Sequence, residues 1–200
     1  MKTIVFFITF LSITTAFTQD NWELAKDKDG IKVWTRKRDN SKLKEYKGVM
    51  VVQTSVEKLL AVFKNIKYHE KFFYKCKQGS VSLVKKNNDN EFYTYMVFEA
   101  PIVKNRDAVT HFLFNKPNTD GSVVLSLEAM PNLVPYKPDC VRVPEMKGYW
   151  KFTPKSDSTV EVIHQAYSSP GPGLPESLAN LASVDAPYSM LVSLKNLIKK

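Results

Sequence analysis

Few side chains in this 200-residue sequence are of types that do chemistry, and their spacing keeps most of them apart. The three histidines, His69, His111 and His164, never stand three or four residues from one another, so no helical metal pair is present in the sequence. His111 and His164 fall on separate predicted strands and meet only if the sheet brings them together, where an imidazole pair could move a proton. Asp89 and Glu91 flank a turn, where carboxylates are ordinarily solvated. Cys76 and Cys140 are the only cysteines. They pair if their Cα atoms approach within about 7 Å, and otherwise serve as two small apolar residues; the sequence leaves both open. Arg106 and Asp107 are adjacent, so on a strand they point to opposite faces. No Gly-x-Ser-x-Gly elbow, phosphate-cradling glycine loop or dinucleotide fingerprint occurs. No catalytic residue, metal ligand or cofactor is assigned. Glu99, Arg106 and His111 are the acid–base candidates if a cavity encloses them.

The elements that must position these residues are legible from periodicity. Ser168 to Lys200 opens with the turn-forming run Pro170-Gly171-Pro172-Gly173. Apolar residues then recur at Leu174, Leu178, Leu181, Val184, Tyr188, Leu191, Leu194 and Ile198, one stripe of a long helix. Pro187 either kinks that helix or sits in the first turn of a second one capped by Ser183 or Asp185. Upstream, strands are expected over 22–27, 31–36 and 43–53. Thr54 begins a helix with Glu57 completing a capping box, and Tyr68 to Tyr74 forms a short second helix. Six strands follow, over 81–86, 91–98, 106–115, 122–129, 140–153 and 158–167, separated by turn-forming clusters. Short connections imply antiparallel neighbours. The expected fold is α+β: a curved antiparallel sheet gripping the terminal helix. A long helix laid on a curved sheet touches it along a line, which leaves room for an apolar pocket.

The first 18 residues differ in kind. Lys2 precedes an apolar run, Ile4 to Leu11, too short to span a bilayer, and small residues follow it. This is the grammar of a secretory signal peptide, so export to a periplasmic or extracellular location is expected, leaving a single domain over 19–200. Removing it leaves 28 basic against 20 acidic side chains, about +8. The lysines are scattered and no arginine-rich helix appears, so nucleic acid is not the expected partner. Peripheral contact with anionic membrane is compatible with the charge.

Several short motifs, in order, resemble the START (steroidogenic-acute-regulatory-related lipid-transfer) family over Trp22 to Lys200. They are Trp22-Glu23-Leu24 with Asp29-Gly30-Ile31-Lys32-Val33 and Arg36; Pro101 with Arg106-Asp107; Val141-Arg142-Val143 leading to Gly148-Tyr149-Trp150; and Pro170-Gly171 with Leu174-Pro175 and Asn180. The resemblance implies a helix-grip fold, like that of the Bet v 1 proteins, around a tunnel for one lipid or other small hydrophobic ligand, closed by a loop and the terminal helix. By strand parity, Arg106, Ala108, Thr110, Phe112 and Phe114 point inward, with Asp107 holding a turn or neighbouring backbone. Leu178, Leu181, Tyr188 and Leu191 are expected to line the cavity from the helix. The loop Met130 to Asp139, with Leu133, Val134 and Tyr136, is the expected lid. Where the steroid-carrying branch holds an acid and a base, this sequence has Tyr93 and Phe112. That favours an apolar ligand with one polar end near Tyr93 or Tyr95. A rival expectation is a cyclase- or aromatase-like enzyme using the same cavity, and a third is a module whose core has collapsed.

Overall fold

A computed structural model describes residues 21–39, 41–156 and 158–199. The expected signal peptide lies outside the described residues. Ten strands form one sheet: β1 (Glu23–Lys28), β2 (Ile31–Arg38), β3 (Ser41–Gln53), β4 (Ser82–Asn88), β5 (Glu91–Phe98), β6 (Asn105–Phe114), β7 (Val123–Ala129), β8 (Cys140–Arg142), β9 (Glu145–Ser156) and β10 (Thr159–Ser169). Helices α1 (Val56–Lys64) and α2 (His69–Phe72) separate β3 from β4, and α3 (Glu176–Ile198) ends the chain. The strand order is β1-β2-β3-β10-β9-β7-β6-β5-β4, antiparallel throughout that path. The helix-grip architecture expected from the sequence is the one observed.

Two local expectations are corrected, and a third, open between two alternatives, is settled. The predicted strand 140–153 is two strands, broken where Pro144 removes a ladder donor. Its first piece, β8, runs parallel to β6. The cap of α1 is Ser55, which accepts from the Lys58 N–H (3.2 Å), because Thr54 still belongs to the sheet edge and donates its N–H to the Ser158 carbonyl (2.9 Å). The terminal helix is continuous through Pro187. That proline forfeits the bond to the Ser183 carbonyl, and tertiary packing against β3 holds the helix together across the gap. The seat is Gly48: a Cβ there would come within 2.8 Å of Leu191 and 3.2 Å of Pro187.

The inner face of the sheet carries rows set by register. Phe114, Leu125, Trp150, His164 and Gly48 form one row, and Phe92, Phe112, Leu127, Gly148, Ala166 and Tyr46 the next. α1 and α2 cover the aromatic part and add Phe63 and Phe72. Phe63 lies 4.9 Å from Phe72 and 5.0 Å from Trp150, centroid to centroid, so aromatic edges and faces pack against one another in that part. His69 is wholly buried there, stacked on Phe112 and donating from Nε2 to the Phe63 carbonyl (2.7 Å).

Candidate functional site

Between the sheet and the first half of α3 lies a cavity of about 430 Å³. Small or flexible apolar side chains line much of it, Ala108, Leu127, Met146 and Ala166 from the sheet and Ala179, Ala182, Ala186 and Met190 from α3, and the rings of Tyr46, Phe73, Tyr74 and Phe98 complete the apolar wall. Lys75, Glu99, Pro101, Leu178 and Leu181, exposed residues of its wall, mark an opening between the β5–β6 turn and the start of α3, and Asp185 is exposed on the wall further along α3. Ile102, 95 % exposed in that turn, adds an apolar rim residue in a left-handed conformation (φ 61°) that a β-branched residue adopts only under strain.

Two polar devices stand on this apolar wall. At the mouth, Arg106 is 5 % exposed and has no carboxylate partner among the described residues. Its guanidinium donates to the carbonyls of Lys104, Pro170 (3.3 Å) and Pro172 (3.0 Å). It therefore straps the β5–β6 turn to the loop entering α3, and burial pulls its pKa below the ordinary guanidinium range. At the floor, where the hollow meets the aromatic part, Tyr46 Oη lies 2.9 Å from His164 Nε2, and His164 Nδ1 lies 3.1 Å from the Tyr149 carbonyl. The His164 ring is stacked flat on Trp150, centroids 3.9 Å apart and 4° between planes. Burial lowers the His164 pKa to about 3 and pushes the Tyr46 hydroxyl up.

The expected site residues divide. Arg106, Ala108, Leu178 and Leu181 lie on the cavity wall. Thr110, Phe112 and Phe114 face inward as parity requires, but Phe112 and Phe114 fill the aromatic part and Thr110 pairs with Thr94 beside it. Tyr93 and Tyr95 are on the outer face. They stand opposite His111 and Val109 on β6, whereas the inward β6 residues face Phe92, Thr94 and Met96. Tyr93 stacks on His111 (4.4 Å), and His111 bonds Glu91 (3.1 Å), so neither reaches the cavity. Tyr188 leans away to the β1–β2 turn, donating to Asp29 Oδ2 (2.6 Å) under the Lys26 ammonium. Leu191 is core packing against Gly48.

The loop 130–139 does not cover the opening. Asp107, outward by parity, takes a bidentate pair of bonds from Arg142 (3.0 and 2.9 Å). Arg142 also donates to the carbonyls of Pro131, Val134 and Pro135, clamping the loop to the outer face. Val134 packs there on Tyr95, Val97 and Val109, while Leu133 and Tyr136 stay exposed. Both cysteines are free: Cys76 packs on the inner core and Cys140 on the outer cluster, so the sheet lies between them. Of the acid–base candidates, Glu99 and Arg106 border the mouth and His111 lies outside. Among the described residues no three His, Cys, Asp or Glu side chains are grouped to hold a metal.

Among the site residues that sequence reasoning missed, His164 and Tyr46 are the polar pair at the cavity floor. The signal was the alternation on β10, where Val160, Val162, His164 and Ala166 share one face. A histidine in that series must be buried.

No family model matches the sequence. The uncharacterized protein PA1579 of Pseudomonas aeruginosa is 34% identical over 182 residues, 90% of this chain and 88% of that protein. Among solved structures, the STAR-related lipid transfer protein of Xanthomonas axonopodis superposes with a TM-score of 0.83 at 32% identity, covering 90% of this chain and 100% of that one. Human STARD10 superposes with a TM-score of 0.78 at 18% identity, over 92% of this chain and 75% of that chain, a likeness of fold. At 32% identity to the Xanthomonas protein over the whole of its crystallised fragment (residues 25–204 of that protein), and with the same grip of sheet on helix, this chain belongs to the StAR-related lipid-transfer (START) family.

Proposed function

We propose that this protein binds one lipid or similar hydrophobic ligand in the cavity beneath α3 and carries it between membranes. The observation that supports this is the cavity itself: about 430 Å³, walled largely by alanine, leucine, methionine and aromatic side chains, in a chain of this family. That volume equals roughly fourteen water volumes, which suits a single chain or a compact ring system better than two acyl chains. Moving such a surface out of water gains about 25 cal/mol per Å². Entry requires the β5–β6 turn and the start of α3 to part, since both border the opening and Arg106 straps them together. Ile102, Leu178 and Leu181 on the rim offer apolar contact to a bilayer, and Lys75 and Lys104 beside them meet anionic headgroups. Export by residues 1–18 belongs to the same reading: the protein would meet its membranes outside the cytoplasm. N-terminal sequencing of the mature protein checks that part.

Native mass spectrometry of protein purified without detergent, followed by solvent extraction, tests the carrier function. A stoichiometric bound lipid and salt-sensitive transfer between anionic vesicles are the expected results. An empty protein that takes up no lipid from vesicles would overturn it.

A further inference from the structure

The hydrogen-bond chain at the cavity floor has a fixed direction. The Tyr149 carbonyl can only accept, so His164 Nδ1 carries the proton of that 3.1 Å bond. His164 is 2 % exposed and its polar partners are a carbonyl and a phenol, with no carboxylate among them to hold a second proton. A neutral imidazole protonated at Nδ1 presents Nε2 as an acceptor, so the Tyr46 hydroxyl donates its one hydrogen to His164. The Tyr46 oxygen keeps lone-pair capacity and receives no donor from any described residue. Stacking on Trp150 and the edge contact with Tyr46 (5.2 Å) hold the imidazole in this orientation. Of the cavity residues, Ala166 stands directly opposite Tyr46 in the sheet, and His164 is the hydrogen-bond partner of the Tyr46 oxygen.

We propose that Tyr46, oriented by His164, is a hydrogen-bond acceptor that selects ligands whose buried end carries a donor: a hydroxyl or an amide N–H. The inference rests on the carrier reading above and names the class of ligand within it: a neutral amphiphile that enters polar end first. A carboxylate or phosphate placed at the floor sets its own lone pairs against the Tyr46 oxygen and is excluded from that position. A methyl ether of the same chain fits the space but leaves the oxygen unpaired.

Tetradecanol and its methyl ether are the probes, bound to wild-type protein and to Tyr46→Phe and followed by Trp150 fluorescence and native mass spectrometry. The wild type is expected to bind the alcohol roughly three- to tenfold more tightly than the ether, the size of one hydrogen bond. In Tyr46→Phe the alcohol should weaken to the level of the ether while the ether is unchanged. A purely structural Tyr46–His164 bond would lower stability in the variant and leave the alcohol-to-ether ratio untouched, which overturns the proposal. Equal wild-type affinities overturn it without any variant and leave the carrier reading standing. Binding of neither probe overturns this proposal, and lipid uptake from vesicles, tested separately, decides the carrier reading.

Discussion

The same strands build a solid region and a hollow one. Under α1 and α2, the inner face presents Phe92, Phe112, Phe114, Trp150 and Phe152, and the helices return Phe63 and Phe72. Under the first half of α3 it presents Ala108 and Ala166, and the helix answers with Ala179, Ala182 and Ala186. Sheet curvature is shared by both regions, so side-chain volume decides which one packs and which stays open. A cavity kept open by small residues need not be a weakness of the fold, because stability can reside in the aromatic region beside it. The two should therefore answer substitution differently.

The largest difference is expected from truncating an aromatic. Phe112, wholly buried between Phe92 and His69, has no room to relax, and Phe112→Ala should cost roughly 3–5 kcal/mol in urea unfolding. A loss below about 1 kcal/mol would mean that the aromatic region is itself loosely packed.

Acid should act on both regions. His69 is buried among aromatics and its pKa is lowered to about 4; His164, at the boundary with the hollow, is lowered to about 3. In the unfolded chain both take a proton below about pH 6.5, so the unfolded state binds more protons than the folded one from there down to about pH 4 at His69 and about pH 3 at His164. Stability is full above that window and falls as pH drops through it, by roughly 2 kcal/mol per histidine at pH 5. Thermal unfolding between pH 7 and pH 4.5 checks this, and a flat profile would place water or a counter-charge beside these rings.

Gly148 tests whether the boundary tolerates volume. A Cβ there would lie 2.4 Å from both the Ala166 Cβ and the Gln165 carbonyl oxygen. Gly148→Ala should cost roughly 1–3 kcal/mol by overpacking, as the strands β9 and β10 are forced apart.

The sequence made the grip itself legible because large apolar residues announce a strand or helix face. Parity on β6 placed Arg106, Ala108, Thr110, Phe112 and Phe114 inward, and each is. The expectation that Tyr93 and Tyr95 reach the cavity comes from the family resemblance, not from parity, and the register Thr94 opposite Thr110 shows that they point outward. The hollow was harder to read. A search for a greasy stripe on α3 finds Leu178 and Leu181, which do line the cavity, and then runs on to Tyr188 and Leu191, whereas the cavity face continues through Ala182, Ala186 and Met190. Alanine carries too little hydrophobic signal to declare that face. The loop 130–139 was misread because its prolines and apolar residues suit a lid, while the clamp that holds it outside depends on Arg142 meeting Asp107 across the sheet.

The smallest effect on stability should accompany a large effect on binding. Ala182 and Ala186 stand one helical turn apart on the cavity face of α3. Replacing both with leucine keeps good helix formers and adds apolar volume where space already exists, so neither strain nor a cavity term applies. The double variant should unfold within about 0.5 kcal/mol of wild type, the gain from burial offsetting the loss of side-chain freedom. Its cavity is then occupied by its own side chains, and lipid uptake should fall at least tenfold by native mass spectrometry. A variant that keeps its ligand would show that α3 moves aside to rebuild the space. A variant that loses several kcal/mol would show that the hollow is already narrow, its alanines chosen for contact with the sheet and not for the room they leave.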